Sequence, residues 1–270
     1  MLGEGWDSVA ILVNDSIVFR IPKRPAVARQ MANEVRVLDV IRPYVSVRIP
    51  LIEWIGQPHG RFTVSAVGYR KLTGTPLSAI PPGATRDDAL RRVGCFLGEL
   101  HGIPTSTLND ADVPRFRWTG DNSPDGSDGW ETGLQAFMER IIADVVPLLD
   151  PSTGERVSDG IAAFLGEAQH FSFHPVLIHG DLSPEHILVD SETGEISVID
   201  FGDSGIGDPA YDVGPELLPW YGCQVDESFR ARQRFYRRLA PFHGVLHGLA
   251  TGDVALVAEG LRQVVEEFGG

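Results

Sequence analysis

The run His179-Gly180-Asp181-Leu182-Ser183-Pro184-Glu185-His186, continued by Ile187-Leu188-Val189 and later by Val198-Ile199-Asp200-Phe201-Gly202-Asp203, constrains this chain more than any other stretch. Apolar Ile187-Leu188-Val189 and Ile196 to Ile199 flank the polar turn 190–195. Short apolar runs on either side of an Asp, Ser and Gly turn form the pattern of a hairpin. Asp181 then lies just before the first strand and Asp200 at the end of the second. Both carboxylates can face one cleft.

Phosphoryl transfer needs such a pair. One carboxylate orients the attacking hydroxyl, and the other holds the metal that neutralises nucleotide phosphates. The arrangement resembles the protein-kinase catalytic loop and the later Asp-Phe-Gly, with Gly180 in place of the usual Arg and His186 at the usual Asn. It is more similar to the aminoglycoside phosphotransferase family, antibiotic kinases with the protein-kinase fold. The branch acting on the 2''-hydroxyl also carries His at that position, and the macrolide kinases are similar here. The resemblance implies an α+β, two-lobed protein-kinase-like fold with a small antiparallel-sheet N-lobe and a mostly helical C-lobe. By that resemblance residues 1–68 form the nucleotide-binding lobe, 69–77 the hinge, and 78–270 the lobe with the catalytic loop and substrate pocket. Asp181 takes the catalytic place, and His186 and Asp200 the metal place.

At 270 residues the chain can bury one large core or two modest ones. No basic start with a long apolar run opens it, so no signal peptide is expected. No apolar stretch reaches the roughly 18 residues of a membrane span. The two cysteines, Cys95 and Cys223, do not suggest a disulfide framework, and a reducing cytoplasm is the expected location. Cys95 falls within an apolar helical pattern. The 37 acidic and 23 basic residues leave a formal charge of −14. That sign excludes a role resting on phosphate-backbone attraction to nucleic acid and favours cationic small molecules. The expected partner is a cationic aminoglycoside, with no nucleic acid and no membrane, and the chain is expected to be a monomer or dimer.

The front of the chain reads in kinase order. Gly3, Gly5 and Ser8 fall in Gly-Glu-Gly-Trp-Asp-Ser, and glycines in a turn between strands let backbone amides approach phosphates. By resemblance this is the phosphate loop. Only two residues precede it, where family members usually have another strand, so either the start is displaced or the lobe forgoes that strand and exposes an edge. The resemblance sets Arg20 at the kinase lysine, with Lys23 as the alternative, although Pro22 suggests that the strand has ended. Arginine keeps the charge but differs in shape and reach. Residues 27–41 read as a helix with Met31, Val35, Leu38 and Ile41 at helical spacing, and Glu34 beside that stripe is the expected partner of Arg20. Two strand-like segments, 49–55 and 61–69, lead into the hinge, where by resemblance the backbones of Arg70 and Leu72 contact the purine. Main-chain contacts leave ATP and GTP equally open as phosphoryl donor, and Mg²⁺ is the implied metal. Magnesium prefers oxygen ligands, so His186 can also act through a water or a hydrogen bond.

Farther on, Leu90, Val93, Leu97 and Leu100 form a helical stripe stopped at His101-Gly102-Ile103-Pro104. His101 resembles a structural feature of the family. Residues 105–129 read as a long loop, with helical patterns at 131–149, 155–169 and 225–267, the last expected to complete the substrate pocket. By resemblance Asp212 braces the catalytic loop and Asp203 reaches toward the substrate's amines. The 2''-acting branch has further acids where this chain has Leu218-Pro219-Trp220-Tyr221. Trp220 and Tyr221 suit a sugar face or an apolar macrocycle, or ordinary core packing. The expected activity is transfer of a nucleotide γ-phosphoryl group to a hydroxyl of an aminoglycoside-like substrate. The alternatives are a macrolide or other small-molecule kinase, and a catalytically dead nucleotide-binding module. No Ala-Pro-Glu follows Asp200, which argues against a protein kinase.

Overall fold

The computed structural model describes residues 3–4, 8–59, 65–118 and 129–269. The chain divides into two compact units, Met1–Phe116 with Pro175–Cys223, and Arg117–His174 with Gln224–Gly270.

The first unit is built around a five-stranded antiparallel sheet in the order β1-β2-β3-β5-β4. Its strands are β1 (Gly3–Glu4), β2 (Ser8–Val13), β3 (Ile17–Pro22), β4 (Ile52–Gly56) and β5 (Ala66–Arg70). Asn14 and Asp15 turn β2 into β3 with positive φ of 50° and 54°, a conformation that Asn and Asp tolerate better than most residues. Two-residue β1 pairs with β2 through Gly3↔Ala10 and Glu4↔Val9, so the β2 edge is partly covered. Helix α1 (Pro25–Ile41) starts with proline in its first turn, where the missing N–H has no helical partner to lose. Its buried face is Val27, Met31, Glu34, Val37, Leu38 and Ile41. Glu34 therefore sits inside the stripe, and Val35 stands at its margin.

The remainder of this unit positions residues 179–203. A small sheet has the order β6-β8-β9, from β6 (Thr75–Pro76), β8 (Ile187–Val189) and β9 (Ile196–Val198). β8 and β9 form the hairpin expected from the sequence, with Ile187 opposite Val198. The Asp190 carboxylate closes its turn by accepting from the backbone N–H groups of Glu192 and Thr193 at 2.9 and 3.0 Å. β7 (Val176–Ile178) pairs antiparallel with β10 (Gly205–Gly207), which puts the start of the loop at His179 beside the residues that follow Asp203. Helix α2 (Ala84–His101) packs Val93, Phe96, Leu97 and Leu100 with no exposure. Residues 105–110, expected in a loop, form the short helix α3 (Thr105–Asp110). Its Leu108 is fully buried, and that single apolar anchor outweighs the polar composition. Cys95, expected on an apolar face, is exposed on α2, and both cysteines are free.

The second unit is helical among the described residues. Helix α4 (Trp130–Arg140) runs into a π turn, α5 (Pro151–Leu165) follows, and α6 (Glu227–Thr251) and α7 (Val254–Phe268) close the chain. Gly252, with φ 76°, ends α6. Asp150, Asp226 and Asp253 cap α5, α6 and α7 by accepting from backbone N–H groups, each satisfying a donor that the first helical turn leaves open. No described helix is long and apolar enough to cross a membrane.

Within this unit, the His243 ring lies parallel to Phe137 at 4.4 Å and to Trp118 at 6.4 Å. Burial lowers its pKa to about 4. The folded state therefore resists a proton that the unfolded chain, near pKa 6.5, takes up readily. Stability should fall as pH drops below 6.5 and level off below about 4, with about 1–2 kcal/mol lost by pH 5. His243→Phe should remove that portion. Denaturant midpoints at pH 7.5 and pH 5 test it, and an equal acid shift in parent and variant would contradict it.

Candidate active site

Asp181, His186 and Asp200 come together at the mouth of the hairpin. His186 lies on the helical turn Pro184–His186 just before β8. Its Nδ1 donates to the Asp181 carbonyl oxygen at 2.7 Å and lies 3.6 Å from the Asp181 carboxylate. In the neutral ring Nε2 then carries the lone pair, and it faces Asp200 Oδ2 at 3.8 Å. The side chains of Asp181 and Asp200 are 53% and 41% exposed, so both are open to a ligand. Asp200 takes a left-handed conformation, φ 66° and ψ 64°, which is uncommon for a residue with a side chain and clusters at functional sites.

Arg20 reaches this group from β3. Its Nη1 donates to Glu34 Oε1 at 2.6 Å and its Nη2 to Asp200 Oδ1 at 2.9 Å. Glu34, 3% exposed, meets it from α1. Burial opposes the Arg20 charge, but Glu34 and Asp200 more than offset it and raise the Arg20 pKa. Burial likewise pushes Asp200 up, and the Arg20 charge reverses this to a net lowering. Among the described residues no arginine or lysine pairs with Asp181. Burial raises it to about 6, against the pull of His186.

A buried polar frame holds the two carboxylates in place. His179 has no exposure; it accepts from the Asp181 N–H through Nδ1 at 3.3 Å and donates through Nε2 to the Ile199 carbonyl at 3.1 Å. One neutral ring thus ties the residue before Asp200 to Asp181, and burial lowers its pKa. Asp212 accepts from the backbone N–H groups of His179 and Gly180 at 2.5 and 2.9 Å. His101 Nε2 donates to Asp212 at 3.2 Å, and Tyr221 O–H donates to His101 Nδ1 at 2.6 Å. Gly180 has φ +85°, and a Cβ there would lie 2.4 Å from the Asp203 carbonyl oxygen. No side chain fits, which explains glycine where the kinase pattern has arginine.

Other sequence-derived residues fall in different places. Ser8, at the start of β2, joins Arg20, Glu34, Asp181, His186, Asp200 and Asp203 around a cavity of about 250 Å³. Gln30, also on that wall, donates to Asp203 at 2.6 Å; the sequence reading missed it, although it lies one helical turn before Glu34. Lys23 is exposed beyond the end of β3. Arg70 ends β5, paired with Ile17, and its side chain meets Glu53; Leu72 follows without regular structure. Gly3 lies in β1, paired with Ala10 of β2 and not in a turn, and Gly5 lies outside the described residues. Tyr221 is 3% exposed with its hydroxyl on His101, so it belongs to the frame around Asp212 and does not line the cavity. Trp220 is 44% exposed and is not on that wall either.

A family model, the phosphotransferase enzyme family APH, matches residues 2–242. The chain belongs to that family. Among solved structures, the GDP and kanamycin complex of APH(2'')-IIIa resembles this APH-family chain with 28% identity and a TM-score of 0.84, covering 98% of this chain and 91% of that one. The macrolide 2'-phosphotransferase type I, 21% identical with a TM-score of 0.71 over 96% and 88% of the two chains, shares the fold. Both likenesses agree with the kinase-like combination of a small sheet lobe and a helical lobe. The uncharacterised protein YcbJ of Bacillus subtilis (strain 168) is 25% identical over 226 residues, 77% of this chain and 66% of its own length. The APH-family chain thus spans just under two thirds of that relative.

Asp212→Ala should destabilise the fold by on the order of 3 kcal/mol, because it leaves two buried backbone N–H groups without an acceptor. Asp212→Asn, which keeps one acceptor oxygen, should lose less. Equilibrium denaturation measures both, and an Ala variant as stable as the parent would contradict the bracing role.

Proposed function

We propose that this chain is a small-molecule antibiotic kinase, a phosphotransferase with an alcohol acceptor that moves the γ-phosphoryl group of ATP or GTP to a hydroxyl of an aminoglycoside-like substrate. The observation that carries the reading is the meeting of Asp181, His186 and Asp200 with the Arg20–Glu34 pair around one cavity. In this reading residues 1–68 carry the nucleotide, 69–77 the hinge, and 78–270 the catalytic loop and substrate pocket. A cytoplasmic location is the natural one for a chain with two free thiols.

Of the donors here the Asp200 carboxylate suits magnesium, a hard cation that prefers oxygen. Asp200 Oδ2 and the His186 Nε2 lone pair face each other at 3.8 Å without a hydrogen bond between them. Magnesium is usually held by one or two carboxylates together with substrate phosphates. Asp200 would hold it, with His186 beside it directly or through a water. Bound there, magnesium neutralises charge on the phosphates.

The protein's own part is positioning. Arg20 directs a forked cation at the phosphates while Glu34 keeps it aimed. The Gly3 to Ser8 segment and the Arg70 and Leu72 backbones complete the nucleotide contacts. Asp181 accepts the hydrogen bond of the substrate hydroxyl and aligns it for in-line attack. Its raised pKa marks a carboxylate able to take a proton. Asp203 supplies acidic charge near the acceptor, steadied by Gln30. The complex of a 28%-identical relative with kanamycin supports the aminoglycoside class. The second reading is a macrolide kinase, since Trp220 stands exposed where the 2''-acting branch has further acids.

Nucleotide consumption across aminoglycosides, macrolides and amino sugars tests the proposal. Aminoglycoside turnover should dominate, with KM rising with salt as attraction to a polycation is screened over about 8–10 Å. Asp203→Asn should raise KM more than it lowers kcat. Turnover of macrolides alone, with salt-insensitive KM and a larger loss for Trp220→Ala, would replace the first reading by the second. Asp181→Asn should reduce kcat by about 100-fold or more with nucleotide affinity nearly unchanged. Activity within a few-fold of the parent would remove Asp181 from its role.

A further inference from the structure

Arg20 makes two ion pairs at once, and they have different consequences. Nη1 holds Glu34 of α1, a carboxylate buried to 3% exposure. Nη2 holds Oδ1 of Asp200, the carboxylate proposed above to bind the metal. The second pair ties up one oxygen of that carboxylate and places a fixed positive charge within hydrogen-bond distance of it, where it repels a divalent cation on the other oxygen. The opposite oxygen of Asp200 is the one turned toward His186. Gln30 binds Asp203 from the same helix, so α1 keeps the loop that bears Asp200 within reach of the guanidinium.

We infer that Arg20 withholds Asp200 from divalent cations in the nucleotide-free protein, so that the metal enters only as its nucleotide complex. The phosphates are the release. A triphosphate offers Arg20 paired oxygens that match its planar fork, and its negative charge screens the cation from the guanidinium. Lysine, the residue that kinases use at this place, ends in a single point charge and lacks the fixed fork that holds Glu34 and Asp200 through separate nitrogens. The substitution of arginine for lysine thus sets an order of binding and leaves the charge of the site unchanged. This inference rests on the reading of Asp200 as the metal carboxylate.

The probe is Mn²⁺, with the free ion counted by electron paramagnetic resonance in titrations of the full chain, and with thermal melts to confirm that each variant is folded. Without nucleotide, Arg20→Lys should bind Mn²⁺ about tenfold or more tightly than the parent, although the formal charge is the same. Glu34→Gln, which loosens the hold on Nη1 and leaves Arg20 to Asp200, should bind it no more tightly than the parent. With a non-hydrolysable ATP or GTP analogue present, parent and Arg20→Lys should converge to within about threefold. Asp200→Asn, which tolerates the left-handed backbone better than alanine, should lose Mn²⁺ binding in the presence of the analogue. Equal or weaker Mn²⁺ binding by nucleotide-free Arg20→Lys overturns the withholding role. If Asp200→Asn still loses Mn²⁺ in that case, the metal assignment survives. Full Mn²⁺ affinity of Asp200→Asn with the analogue overturns the metal assignment and this inference together.

Discussion

The guanidinium of Arg20 is where three separately encoded segments become one site. β3 supplies the arginine, α1 the buried Glu34, and the loop after β9 the left-handed Asp200. A buried carboxylate is tolerated only with a partner at hand, and Arg20 is that partner for Glu34. The same cation lowers the pKa of Asp200 against the effect of burial and so keeps an anion where phosphates and metal are proposed to bind. This contact joins α1 to the loop at Asp200 through one guanidinium, beside the Gln30 to Asp203 hydrogen bond.

Beneath the charges lies a second constraint made from backbone hydrogen bonds. The sharp path of residues 179–181 leaves N–H groups that no strand or helix pairs, and Asp212 accepts two of them. His179 bridges from Asp181 to Ile199, so the loop of residues 179–181 and the loop of Asp200 are tied together. The absence of a side chain at Gly180 lets the Asp203 carbonyl approach. In this chain the choice of histidine, glycine and aspartate at these places is a matter of backbone satisfaction and close approach, and it puts the exposed carboxylates where chemistry is proposed.

Much of this was legible because it is local. The hairpin announces itself by apolar triplets around a polar turn, and α1 by its periodic stripe. Glu34 was found by its place after the basic strand. Its full burial was not legible, since a stripe read from apolar residues alone selects Val35 in its stead. Gln30 escaped because a glutamine on a helix carries no signal until its partner, 173 residues away, is known. Tyr221 was read as a candidate for a ligand face because aromatic residues serve both ligands and cores. Only its hydrogen bond to His101 shows which use is made of it here. Helix α3 escaped because Leu108 anchors a segment whose composition is that of a loop.

The claim on which the rest stands is that Arg20 and Glu34 act as one unit in holding nucleotide. A double-mutant cycle, with nucleotide affinity measured for the parent, Arg20→Ala, Glu34→Ala and the double variant, tests it most directly. Groups in direct contact typically show a coupling of about 0.5–3 kcal/mol. The account predicts that Glu34→Ala weakens binding in the parent but adds little once Arg20 is gone. Losses that simply add would show that the pair seen between β3 and α1 has no part in nucleotide binding.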